Sequence, residues 1–429
     1  MMGALDPVMA VRNPLQLPPR LRRLGLVGLS LLAGLSLGGC SGLPRPPQMV
    51  FMSIGVNDDE TIDTHTLNEL RLRLKLLESG FRALHPGTFF QFNLAPEHQI
   101  ESVLRQRTQT ALAPDLAFVN GDTAVSLLDE GVVDPYPITP QQQHLFDPLM
   151  LSRLRDSKGR LAGLPVMVRT QLTCFNRKHL PKPPTTTDGL LQLSGKGPSI
   201  GLTLEPVQLI WSAGSLGALD GIDRAAAGQP LSAAERSSIE RWLRWLVTAN
   251  NQEQITFYAT QQLAMAEFEA GRLDWILCES SSLSSLAKTL GPALGVAPLP
   301  DGPGGQASPI NRLRVVVLGR SSTPSGRQLA LAFSASSVNA ESQSSLTMGS
   351  QSVLPANRFV QVPMQSSERL AALVSSAQAG TRTATLARLL HSRDQRLVQV
   401  RGVLMELIFG DLPVKQASDR LIASLHPQP

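Results

Sequence analysis

Strand-like and helix-like periods alternate along this chain from residue 50 onward, and that alternation narrows the fold more than any other feature. Residues 50–54 read as a strand. Residues 67–84 read as a helix, with Leu67, Leu70, Leu74 and Leu77 along one stripe. A second strand is expected at 89–92, behind the turn His85-Pro86-Gly87, and a second helix at 97–113. A third strand, 116–119, leads into a helix near 123–129. Strands that alternate with helices predict an α/β fold with a mainly parallel sheet covered on both faces. In such sheets ligands sit beyond the carboxyl ends of the strands, where loops pass into helix amino termini. The loop Asn120-Gly121-Asp122 occupies that kind of place.

The amino-terminal segment addresses location. Arg20, Arg22 and Arg23 precede an apolar run, residues 24–37, that is too short to span a bilayer and ends in Leu37-Gly38-Gly39-Cys40. That order of charge, apolar run and small residues is the layout of a secretory signal. Leu-Gly-Gly-Cys also resembles the lipobox of bacterial lipoproteins, which implies cleavage before Cys40 and acyl chains on that residue. Each buried methylene contributes about 0.8 kcal/mol, so two or three acyl chains would hold the protein on a membrane surface. The chain is therefore expected outside the cytoplasm, lipid-anchored to a bacterial membrane and facing the periplasm. Residues 41–48 form a polar, proline-rich tether.

Cys40 to Pro429 is longer than one hydrophobic core normally grows to, so two lobes are expected. Residues 1–39 carry four Arg and one Asp, which takes the formal net charge from +5 for the whole chain to about +2 beyond them. A nearly neutral body without a basic stripe argues against nucleic acid as a partner. Beyond Cys40 only Cys174 and Cys278 remain. One bridge between them is possible, but far apart and unpatterned they read better as buried thiols.

Motifs in sequence order resemble the family 1 extracellular solute-binding proteins, which serve ABC importers. Asp115 to Asp122, followed by the segment Leu127 to Asp134, looks like part of that family's amino lobe. Gly159-Arg-Leu-Ala-Gly-Leu-Pro165 resembles its "Gly-x-x-x-Gly-(Val/Leu)-Pro" turn. The stretch 166–175, then Asn176-Arg-Lys-His-Leu180, is similar to its crossover strand and "Tyr-Asn-Lys-x-Leu" end, with Phe175 in place of the tyrosine. Leu209 to Ser215, Phe268 to Ile276, Val353 to Asn357 and Phe409 to Ala417 resemble further family segments in the same order. The resemblance implies two α/β lobes joined by crossover hinge strands. The lobes are expected at 49–165 with 313–357, and at 166–312 with 358–429. It implies a monomeric carrier, not an enzyme, that captures a small polar solute such as a sugar between its lobes and hands it to an ABC permease. The reading from another class is an envelope lipoprotein that keeps this fold for an assembly or interaction role.

Strand ends then name the ligand-contacting candidates: Asp122, Arg169, Gln171, Trp211, Glu279 and Ser280. Asp122 can accept from ligand hydroxyls or cap a helix beside Thr123. Arg169 lies within an apolar run, so it calls for a ligand anion, a neighbouring acid or exposure at the strand end. Trp211 offers either a stacking face for a sugar ring or a core side chain. Trp242 recurs at helical spacing with Ile239, Leu243 and Leu246, behind the capping-box pair Ser232 and Glu235, and reads as core; so does Trp275. Glu279 and Ser280 lead from a strand into a helix, where hydroxyls and free N–H groups gather.

Catalytic patterns are poor. Ala213-Gly-Ser215-Leu-Gly217 lacks the first Gly of a nucleophile elbow, and Gly195-Lys196 is followed by Gly197 where a phosphate loop needs Ser or Thr. The seven His show no metal-ligand spacing. No metal and no cofactor are expected.

Overall fold

The computed structural model describes residues 48–57, 62–110, 112–383, 386 and 395–427. The signal, Cys40 and the tether up to residue 47 lie outside the described residues. Two sheets organise the body. The first has seven strands: β1 (Gln48–Val56), β2 (Thr88–Pro96), β3 (Leu116–Asn120), β4 (Val133–Asp134), β5 (Leu164–Arg169), β11 (Arg312–Gly319) and β12 (Leu354–Pro355). Their order is β12-β5-β11-β3-β1-β2, with β4 beside β11. The second sheet has five: β6 (Gln171–Asn176), β7 (Ile200–Thr203), β8 (Ile255–Tyr258), β9 (Trp275–Glu279) and β10 (Leu294–Ala297), in the order β10-β6-β9-β7-β8.

Each sheet is parallel where the chain runs strand, helix, strand. So β1 pairs in parallel with β2 and β3, and β7 with β8 and β9. Each turns antiparallel where strands carry the chain from one sheet to the other: β11 runs against β3 and β5, and β6 against β9 and β10. The apolar periods of the sequence are the cause. Val50, Met52 and Ile54 of β1 alternate into one core with Leu74, Leu77 and Phe81 of the helix Thr64–Leu84. Asp63 starts that helix by accepting the Thr66 N–H at 2.8 Å.

The stretch 166–175, read as one strand, is two. β5 ends at Arg169 in the first sheet and β6 begins at Gln171 in the second, so Thr170 alone joins them. A continuous apolar run cannot reveal such a break, because both halves are buried. The chain returns through residues 298–311 to β11, and crosses again after β12 to the helix Glu368–Ala379, which packs on β6 and β10.

Cys174 and Cys278 are joined as a disulfide, not buried thiols. In the β6/β9 register Leu172 faces Cys278 and Cys174 faces Ile276, so the cysteines are diagonal neighbours on one sheet face, with Cα atoms 5.7 Å apart. Only this pairing brings together residues separated by 104 positions. The hydrophobic core runs from the first sheet onto this face through Leu172, Cys174, Ile276 and Cys278, while Trp211, Trp242 and Trp275 belong to a second core on the far side.

Candidate functional site: the cleft between the sheets

The carboxyl ends of β1 and β3 from the first sheet meet the end of β9 from the second. Beyond β9 the chain tightens into the 3-10 turn Ser280–Ser282 and the helix Leu283–Leu290, which touches the helix Thr64–Leu84 across the gap. A cavity of about 230 Å³ lies there, lined from one side by Glu69, Leu70 and Arg73 and from the other by Met265, Glu269 and Ser281. A smaller one of about 50 Å³ adjoins it, between Leu70, Arg73, Phe118, Met167, Arg169 and Arg314. Leu70 and Arg73 line both.

Beside the smaller cavity sits a buried polar network. Arg314 donates from Nη1 to Glu97 Oε2 at 2.7 Å and to Asn120 Oδ1 at 3.2 Å, and from Nη2 to the Gly55 carbonyl. The second Glu97 oxygen accepts the Asn120 backbone N–H at 2.7 Å. Arg169, buried rather than exposed at its strand end, donates to Asn120 Oδ1. Gly55 is needed here: a Cβ on it would collide with the Glu97 carboxylate.

The crossing points are also bonded. Gln171 Nε2 donates to Val207 O at 3.1 Å and to Gln208 Oε1 at 2.8 Å, while its Oε1 accepts the Ile310 N–H at 2.9 Å. One amide thus ties two crossing segments together. Arg312 pairs with Glu279 at 3.0 Å, and Ser280 exchanges hydrogen bonds with the Thr170 backbone at 2.9 and 3.2 Å. Asn57 Nδ2 reaches Ser281 Oγ at 3.2 Å from the other sheet. Asp122 lies in the first turn of the helix Gly121–Asp129 and accepts the Thr123 N–H at 3.0 Å. Burial pushes the Arg153 pKa down, and the charge of Asp122 opposes that shift.

Of the residues named from sequence, Arg169, Gln171, Glu279 and Ser280 are brought together at the crossings. Trp211 is not: it is 0% exposed, with ring centroids 6.1 Å from Trp245 and 6.4 Å from Trp275. No face of it is left for a ligand. Its helix, Pro206–Ser215, is buried on all sides from Gln208 onward, so helical spacing could not tell an inner from an outer face. Trp242 donates to Ser212 Oγ at 2.9 Å inside the same core. The Ser215 hydroxyl is buried and donates to Pro300 O at 2.8 Å. Arg73 and Asn57 were missed. A signal existed for Arg73, a cation flanked by Leu70 and Leu74 of the apolar stripe. Among the described residues, no cluster of three or more His, Cys, Asp or Glu has the arrangement of a metal site, and no helix is long and apolar enough to cross a membrane.

Two α/β lobes with a polar cleft between them are the architecture of a solute receptor. The chain belongs to the bacterial extracellular solute-binding protein family, which matches residues 90–372, about two thirds of its length. Among solved structures it is similar to the GacH receptor of Streptomyces glaucescens GLA.O, determined unliganded and in complex with acarbose and an acarbose homolog. That likeness has a TM-score of 0.67 at 16% identity and covers 88% of this chain and 97% of that one, which makes it a likeness of fold. No curated protein sequence matches the chain.

Proposed function

We propose that this protein captures a small polar solute of the sugar type between its lobes and delivers it to an ABC importer permease. The cavity walled by Arg73 and Glu69 on one lobe and by Ser281 and Glu269 on the other is the observation that carries this reading. The lobes are assigned as residues 48–169 with 312–357 and residues 171–311 with 358–427, hinged at Thr170 and at the segment before Arg312. Gln171, Glu279 and Ser280 serve that hinge, and Asp122 and Arg169 support the cleft from behind. The chain works as a monomer and a carrier, without catalysis. Residues 1–39 direct it out of the cytoplasm, and lipid on Cys40 holds it at the membrane. Family membership supports the location, the binding role and the importer partner. The acarbose receptor supports a sugar-like cargo.

A solute that binds only the folded state raises the thermal midpoint, by about 2.7 kcal/mol of stability at a hundredfold excess over Kd. The mature chain carrying Cys40→Ser is expected to show one saturable shift in a panel of sugars, polyols, sugar phosphates and amino acids. A well-folded chain that responds to none of them would favour the non-transport envelope role. In cells, acyl label should be found on the native chain and lost in Cys40→Ser; equal labelling of the two would sink the lipid-anchor reading.

A further inference from the structure

We infer that the solute is a polyhydroxylated acid, held with its anionic group on Arg73 and its hydroxyls toward Glu69 and Glu269. The inference rests on the carrier reading and adds the charge and orientation of the cargo.

Arg73 is only 9% exposed, and a guanidinium stays charged at every physiological pH. A buried cation is stable when a carboxylate or other anion faces it. Arg314 has such support in Glu97, and Arg169 donates to the neutral amide of Asn120. Arg73 makes no ion pair among the described residues. Its Nη2 reaches only the Ser281 carbonyl at 3.4 Å and Ser352 Oγ at 3.3 Å, both long bonds, and its Nε has no partner. Glu69, one turn earlier on the same helix, forms no ion pair with it. Residues 58–61, with Asp58, Asp59 and Glu60, lie outside the described residues.

Arg73 also stands where the two cavities meet. In the larger cavity the other charged groups are acidic. Asp63 is engaged in capping the Thr66 N–H, Glu269 accepts from Ser285 Oγ at 3.4 Å, and Glu69 has no bond to a described residue. In the smaller, mainly apolar one the other charged groups are Arg169 and Arg314, the latter paired with Glu97, and the room, about 50 Å³, suits one carboxylate or phosphate end but not a sugar ring. Carboxylates accept from hydroxyls, and a guanidinium donates to an anion in paired fashion. A solute with hydroxyls at one end and an acid at the other therefore matches both cavities in one orientation. No aromatic side chain lines the larger cavity, so ring stacking supplies no competing orientation there.

Calorimetric titration of the mature Cys40→Ser chain with glucuronate, glucose 6-phosphate and glucose tests this. At least one acid is expected to bind tenfold or more tighter than glucose, and which acid does so separates carboxylate from phosphate. Arg73→Gln should weaken that acid roughly tenfold to a hundredfold, as loss of a charged hydrogen bond does, and weaken glucose by a much smaller factor. Arg73→Lys should restore part of the loss, with both variants melting cooperatively. Equal affinity for glucose and the acids would overturn the inference while the carrier reading stands. An Arg73→Gln effect of the same size on every ligand would likewise overturn it and make Arg73 a latch between the lobes. Binding by none of the three would overturn it too, and the broader thermal panel decides the carrier reading separately.

Discussion

Glu97→Ala is expected to destabilise the folded chain by about 3–5 kcal/mol, the cost of removing one partner from a buried ion pair. The pair itself contributes little net stability, because both ions gave up water to form it. The loss arises from what stays behind. Arg314 would remain buried with its charge uncompensated, and the Asn120 N–H would lose its acceptor inside the same sheet. Exposed pairs such as Arg105 with Glu130 should contribute under about 1 kcal/mol by comparison. Urea denaturation gives the reading. The double variant Glu97→Ala, Arg314→Met should be more stable than Glu97→Ala alone, since it removes the orphaned charge. A single variant within 1 kcal/mol of the native chain would mean that water reaches this network.

The second large effect belongs to the disulfide. Replacing Cys174 and Cys278 by alanine opens a link across 104 residues, for which chain entropy predicts a loss of about 4.7 kcal/mol. Both sulfurs lie in the core between β6 and β9, so cavity formation adds to the loss. The effect should appear as a lower denaturation midpoint in the variant, and as the same shift in the native chain once it is unfolded and reduced. A change below 1 kcal/mol would show that the denatured chain already holds these strands close. A structural disulfide also fits a chain exported to an oxidising compartment.

The early elements were legible because periodicity is local. The stripe Leu67, Leu70, Leu74 and Leu77 foretold the helix Thr64–Leu84, and short apolar runs foretold β1, β2 and β3. The capping-box pair Ser232 and Glu235 does start the helix Ala233–Asn250. Arg169 stood out as a cation in an apolar run, although its partner Asn120, 49 residues earlier, did not. Trp211 was misleading for a related reason. Three helices distant in sequence, Ala233–Asn250, Gln395–Ile408 and Val414–Leu425, share its core, and nothing near residue 211 reports their presence.

By itself the sequence determined the order of strands and helices, the α/β class, the secretory layout before Cys40 and the charge balance of the body. These depend on a few adjacent side chains and their periods of 2 or 3.6 residues. Only the tertiary structure decided that the chain changes sheets at Thr170, that Cys174 meets Cys278, that Trp211 is sealed away and that Arg73 lines the cleft without an ion-pair partner among the described residues. Each of those is set by strand register and by the crossing of segments a hundred or more residues apart, and burial and pairing exist only once those segments meet.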